Sequence, residues 1–164
     1  MATAKPGWGW AAALLWALAS PHAHAHEADA VARDCHALVT DYAYYRDRYD
    51  ADAYADLFAQ DAVLSVLGNE YVGRAAIKRR LVEDAEKPVT HHHMTTIKLM
   101  PGDEKTAYGV SYVVVYSEPA AGDLPVTTKG FLAAGEYHDT FVLTDDGWKI
   151  GRRQFRPVLV PPAP

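Results

Sequence analysis

The sequence predicts an α+β fold: a conical roll in which three N-terminal helices pack on a strongly curved, mostly antiparallel sheet. Three observations carry that expectation. Before position 85 the apolar residues recur at helical spacing, and after Pro88 the period drops to two in four long runs. The short joints between those runs, "PGDEK" and "TDDG", are turn chemistry. Helices first and strands last argue against an alternating parallel fold. A sheet that covers such helices has to curl, and a curled sheet closed by helices leaves a hollow of the kind that takes ligands.

The chain opens "MATAKPGWGWAAALLWALASPHAHAHE". Lys5 gives a positive start, and the apolar run Trp8 to Ala19 falls short of the roughly 20 residues that span a bilayer. Ala23-His24-Ala25 places small residues at a cleavage spacing. Residues 1–25 are therefore expected to be an export signal, with a secreted or periplasmic single domain over 26–164 and a loose proline-rich tail from about 158.

The first helix follows from Val31, Cys35, Leu38, Tyr42, Tyr45 and Tyr49, which step by three and four along one stripe. "DADAYADLFAQD" predicts a second, short helix capped by Asp50 or Asp52, with Tyr54, Leu57 and Phe58 inward. "AVLSVL" reads as a strand, Gly68-Asn69 as a turn, and "GRAAIKRRLVEDA" as a third helix. Val89–Met100, Thr106–Ser117, Phe131–Leu143 and Trp148–Leu159 are long strands rich in branched and aromatic residues. "EPAAGDLPVTTKG" is a longer loop.

Sixteen basic and 21 acidic residues give a net charge of −5. No basic block is present, which argues against a nucleic-acid partner. Beyond the first 25 residues no apolar run reaches membrane length, so no membrane association is expected once the signal is removed. Cys35 is the single cysteine, so no internal disulfide can form.

"VTHHHMTTIKL" raises the question of which histidine matters. Strand neighbours point to opposite faces, so His91 and His93 share one side and His92 takes the other. Three consecutive histidines cannot converge on one metal in that geometry, and no companion motif supplies further ligands. No metal and no organic cofactor are expected. Strict alternation puts His91 and His93 in phase with Ile97 and Leu99, hence inward; a bulge near Met94-Thr95 would reverse that phase and turn His92 inward.

"YRDRYDADAYADLFAQDAVLSV", "YVGRAAIKRRL", "THHHMTTI" and "GEYHDTFVLTDDGWKIGRR" together resemble the nuclear transport factor 2-like superfamily on its SnoaL-like branch, which includes scytalone dehydratase, bile-acid dehydratase and small polyketide cyclases. The resemblance covers nearly the whole chain after residue 25 and implies a cystatin-like roll. It implies that His92, within Thr90-His91-His92-His93-Met94-Thr95, is the general base or acid. A pocket tyrosine five residues before an aspartate falls on Tyr45 and Asp50; the scytalone-dehydratase-like orienting aspartate falls on Asp47. Asp47 lies about 200° round the helix from Tyr45, which would make it a surface acid. Where scytalone dehydratase has a second histidine, this chain has Ser117.

His, Asp and Tyr in an apolar cone suit proton transfer beside a carbonyl. The expected function is a cofactor-free lyase of the dehydratase type, or an isomerase, acting on a small hydrophobic cyclic molecule. The candidates are His92, Asp47, Asp50 and Tyr45 for catalysis, and Tyr54, Tyr71, Tyr112, Tyr137 and Arg153 for substrate binding. The alternative is a non-catalytic periplasmic ligand-binding or dimeric interaction module. The resemblance also implies a homodimer.

Overall fold

The computed structural model describes residues 21–84, 86–120 and 122–162. Most of the expected export segment thus lies outside the described residues; its last five positions fall in the first turns of α1.

Helix α1 (Pro21–Arg48) is followed by α2 (Ala51–Asp56), β1 (Phe58–Val66), β2 (Asn69–Val72), α3 (Arg74–Val82), β3 (Val89–Pro101), β4 (Thr106–Glu118), β5 (Phe131–Thr144) and β6 (Gly147–Leu159). The six strands form one sheet in the order β2-β1-β6-β5-β4-β3. Every neighbouring pair is antiparallel except β1 with β6, which run parallel. The fold class is therefore as the sequence predicts. The second helix ends sooner than expected: Phe58 already pairs with Ile150 in the sheet, so the segment "FAQD" belongs to β1. Strand β6 continues to Leu159, just beyond the expected start of the loose tail.

Helix α1 ends in a turn that shapes everything after it. Tyr49 takes a left-handed φ of 56°. Its N–H donates to the Arg46 carbonyl at 3.3 Å, and the Asp50 N–H donates to the Tyr45 carbonyl at 3.1 Å. This is a Schellman closure, with tyrosine where glycine is usual. The Tyr49 hydroxyl donates to the Pro88 carbonyl at 2.8 Å, tying the turn to the entry of β3. The Asp50 carboxylate then caps α2 by accepting from the Ala53 N–H at 3.2 Å.

The core lies between α1 and the inner sheet face. Cys35, Val39 and Tyr42 from α1 meet Tyr54, Phe58, Leu64, Val113, Phe141 and Ile150. Ile77 and Leu81 from α3 close one side, as their spacing predicts.

Candidate active site

The site begins with an irregularity in β3. Thr95 pairs with Tyr112 and Lys98 with Val110, so β3 spends three residues where β4 spends two. That is a bulge of one extra residue. Thr96 sits in it with φ of 48°. Before the bulge Thr90, His92 and Met94 turn inward; after it Ile97 and Leu99 do. The phase reversal that strict alternation could not supply is present, slightly later than Met94-Thr95. His91 and His93 project outward with their rings 4.7 Å apart, and His93 lies against Tyr116. Among the described residues no cluster of His, Cys, Asp and Glu could hold a metal ion.

Asp47 reaches His92 from the last turn of α1. The His92 Nδ1 is 2.5 Å from Asp47 Oδ1, and the His92 backbone N–H donates to Oδ2 at 2.8 Å. The Thr90 hydroxyl donates to Oδ1 at 3.0 Å. The two side chains are only 8% and 12% exposed, so the pair is shielded from solvent. Burial by itself raises the Asp47 carboxyl; the hydrogen bonds and charge supplied by His92 and Thr90 outweigh it and hold the group below the ordinary carboxylate value. An ionised Asp47 accepts a hydrogen bond from the Nδ1–H of His92, the tautomer that leaves the Nε2 lone pair free.

His92 lines a cavity of about 240 Å³. Its polar wall includes Tyr42, Tyr137, Thr90 and Ser117, and its apolar wall includes Val66, Val115 and Phe155. The Tyr42 ring stands edge-on to His92 at 6.3 Å, and the Tyr42 and Tyr137 hydroxyls are 3.5 Å apart. Burial, reinforced by Tyr42, pushes the Tyr137 phenol well above its ordinary value, so it remains an O–H donor.

Beneath these phenols Arg153 is fully buried. Its guanidinium donates twice to Asp139, at 2.8 and 2.7 Å, and lies 4.1 Å from the Tyr42 ring centre and 4.7 Å from that of Tyr137. Arg153 is a support for the two tyrosines and does not itself line the cavity.

Several expected site residues lie elsewhere. Asp50 is committed to capping α2. Tyr45 packs at the edge of the core against Tyr44 at 5.4 Å and does not line the cavity. Tyr54 is buried behind Tyr42, 5.2 Å away. Tyr71 lies on β2 beside Arg80. Tyr112 is exposed on the outer sheet face. The 200° separation of Asp47 from Tyr45 is correct, but Tyr45 does not mark the buried face. Ala43 does, and Asp47 lies about 40° from it. The five-residue spacing also fits Tyr42, which lines the cavity, and Asp47, which holds His92 there. That second match was available in the sequence.

A larger hollow of about 520 Å³ lies at the other end of the roll, between Val31, Cys35, Leu99, Ala107 and Trp148. It contains no histidine, and burial pushes the Cys35 thiol up to about 12, which keeps it protonated. Its charged side chains, Asp103, Glu104 and Lys105, are exposed at the turn between β3 and β4, whereas the shielded His92, held by Asp47, lines the smaller cavity.

A family profile described as a SnoaL-like domain matches residues 30–154. A comparison with curated proteins gives no significant match. Among solved structures, a protein of unknown function from Mycobacterium tuberculosis is 25% identical, with a TM-score of 0.71 over 86% of this chain and 78% of that one. A provisionally named scytalone dehydratase from Novosphingobium aromaticivorans is 27% identical, with a TM-score of 0.66 over 85% and 89%. An NTF2-like protein of cystatin-like fold from the same organism shares the fold at 20% identity, TM-score 0.70, over 86% and 92%.

Proposed function

The chain belongs to the SnoaL-like domain family, and from that premise we propose that it is a cofactor-free acid–base enzyme: a dehydratase-type lyase or an isomerase acting on a small, cyclic, hydrophobic molecule. One observation carries the proposal. A buried aspartate holds His92 by Nδ1 at 2.5 Å while the ring lines a cavity walled by two phenols.

In this mechanism the Nε2 lone pair of His92 removes a proton from carbon next to a substrate carbonyl. The electron pair moves to the carbonyl oxygen, which accepts a hydrogen bond from Tyr42 or Tyr137 as charge develops. Asp47 stabilises the imidazolium. The proton then returns from Nε2. Delivered to a β-hydroxyl, it releases water and leaves a double bond; delivered to another carbon, it completes an isomerisation. Assistance of this kind is worth roughly 10²–10⁴-fold. The 27% identical relative, provisionally named as a scytalone dehydratase, supports the lyase branch. The same fold hosts many chemistries, so the residues at the site carry the argument.

We extend the proposal to an exported homodimer. The outer sheet face, where Tyr108 and Tyr112 are 45% and 47% exposed, would supply the subunit contact.

The test is solvent-deuterium exchange and water loss on a panel of cyclic β-hydroxy ketones, with His92→Ala as the control. Exchange by the wild type that His92→Ala lacks supports the proposal. Equal binding of ligands by both proteins, with exchange in neither, would leave a binding module in its place.

A further inference from the structure

The proton-transfer wall does not account for the other charged side of the cavity. Arg46 and Arg80 line it there, with Asp84 and Pro88. Arg46 is 7% exposed. Its Nη2 meets Asp84 Oδ2 at 3.5 Å, a long contact to a carboxylate that is 29% exposed. Its Nη1 is buried with no hydrogen-bond partner. The ring of Tyr49 lies 5.0 Å away. Arg80 stands over the Tyr71 ring at 5.3 Å and has no carboxylate partner among the described residues.

A buried guanidinium ordinarily has its donors satisfied, because desolvating an unpaired charge costs several kcal/mol. Arg153 also leaves its Nη1 unpartnered, but two short bonds to Asp139 neutralise its charge; Arg46 has only the single long contact to Asp84. The lining therefore holds two cations against one loosely engaged anion, in a protein whose net charge is −5. Concentrating positive charge in one cavity of an acidic protein favours an anionic guest.

We infer that Arg46, seconded by Arg80, forms a carboxylate-binding subsite, so that the ligand is a small cyclic acid rather than a neutral ring compound. The inference rests on the proposed function for its choice of cavity and goes beyond it in substrate class. An incoming carboxylate would take the unused guanidinium donors in the two-point geometry that suits arginine. The apolar wall would hold the ring. A volume of about 240 Å³ limits the guest to one or two fused rings. Asp84 acts as a place-holder, exposed enough to swing away as the acid enters.

Calorimetric titration of the full chain at pH 7 with 2-naphthoate and with 2-naphthamide tests this. The two probes share a shape and differ in charge. The wild type is expected to prefer the acid by about 10- to 100-fold, the scale of one charge-assisted hydrogen bond. Arg46→Met should remove that preference and leave amide binding within about twofold. Asp84→Asn frees Arg46 and should tighten acid binding, which a merely structural role for Arg46 would not produce. Should Arg46→Met fail to fold, Asp84→Asn decides alone.

Equal affinities in the wild type, no measurable binding of either probe, a preference surviving Arg46→Met, or unchanged or weaker acid binding in Asp84→Asn would each overturn the subsite. Acid preference without any His92-dependent proton exchange would keep the subsite and remove the enzyme. Exchange without acid preference would do the reverse.

Discussion

Replacing Asp47 by asparagine should invert the tautomer of His92 while leaving the fold in place. Three donors converge on the Asp47 carboxylate: the Thr90 hydroxyl, the His92 backbone N–H and the His92 Nδ1–H. An amide offers one oxygen and one NH2. With the oxygen at the Oδ1 position, the NH2 would face the His92 backbone N–H across 2.8 Å, donor against donor. The flipped amide avoids this. Its oxygen accepts the backbone N–H, and its NH2 donates to the Thr90 oxygen and to Nδ1. Nδ1 must then be the unprotonated nitrogen, and the ring proton moves to Nε2. Three charge-assisted bonds become neutral, at about 1 kcal/mol each. The amide also costs less to desolvate, so the net loss of stability should be about 1–2 kcal/mol. The base is lost altogether, and turnover should fall by roughly 10³–10⁴-fold, the scale of a misplaced tautomer. Nitrogen chemical shifts of the His92 ring report the tautomer directly. The reasoning is refuted if Nε2 stays unprotonated in Asp47→Asn, or if that variant unfolds under conditions where the wild type is stable.

Three further outcomes are expected. Because the Asp47 carboxyl is depressed in the folded state, its stabilisation is present above the unfolded value of 3.8 and disappears as pH falls through the lower folded value. Thermal denaturation of the wild type from pH 6 downward should therefore steepen below about pH 4, and Asp47→Asn should flatten that limb. Thr96→Gly should raise stability by about 1 kcal/mol in urea titrations, since a branched residue at φ of 48° is strained by more than glycine's extra chain entropy costs. Asp139→Ala should destabilise by about 3–5 kcal/mol by stranding the buried Arg153, and the double variant Asp139→Leu with Arg153→Met should recover most of it in the same titrations.

The order of elements and the four long strands were legible because their periods are strong and their turns chemically explicit. The end of α2 was not. Leu57 and Phe58 satisfy an amphipathic helix as well as a strand, and only the parallel pairing of Phe58 with Ile150 decides between them. His92 could be singled out, but its direction could not. That depends on one extra residue at Thr96, and Met94-Thr95-Thr96 carries no glycine or proline to advertise a bulge. Asp47 was among the candidates, but the helix face that presents it was misplaced. The stripe of Tyr45 and Tyr49 looks buried by spacing, yet the helix turns its face toward Ala43 and Arg46 as it approaches its end. A tyrosine covers apolar surface with its ring while its hydroxyl reaches water or a carbonyl, so it marks a boundary less sharply than an aliphatic residue does.

Five consecutive residues at that helix end explain why the site tolerates so little freedom. Arg46 turns into the cavity, Asp47 grips His92, Tyr49 closes the helix in a left-handed turn, and Asp50 starts the next one. Arg48 alone points away, its guanidinium over Tyr44 at 3.6 Å. A helix advances 100° per residue, so continuing it by one residue instead of turning at Tyr49 would send Asp50 and everything after it in another direction. The Tyr49 hydroxyl bond to Pro88 fastens the same turn to the start of β3, two residues before Thr90. Thus this contact joins the bonds from Thr90 and the His92 backbone to Asp47 in fixing the distance between the strand that carries the imidazole and the helix that carries its carboxylate. Glycine at position 49 would relieve the left-handed backbone but forfeit that bond. The choice of tyrosine there is better explained by placement of the Asp47–His92 pair than by helix capping.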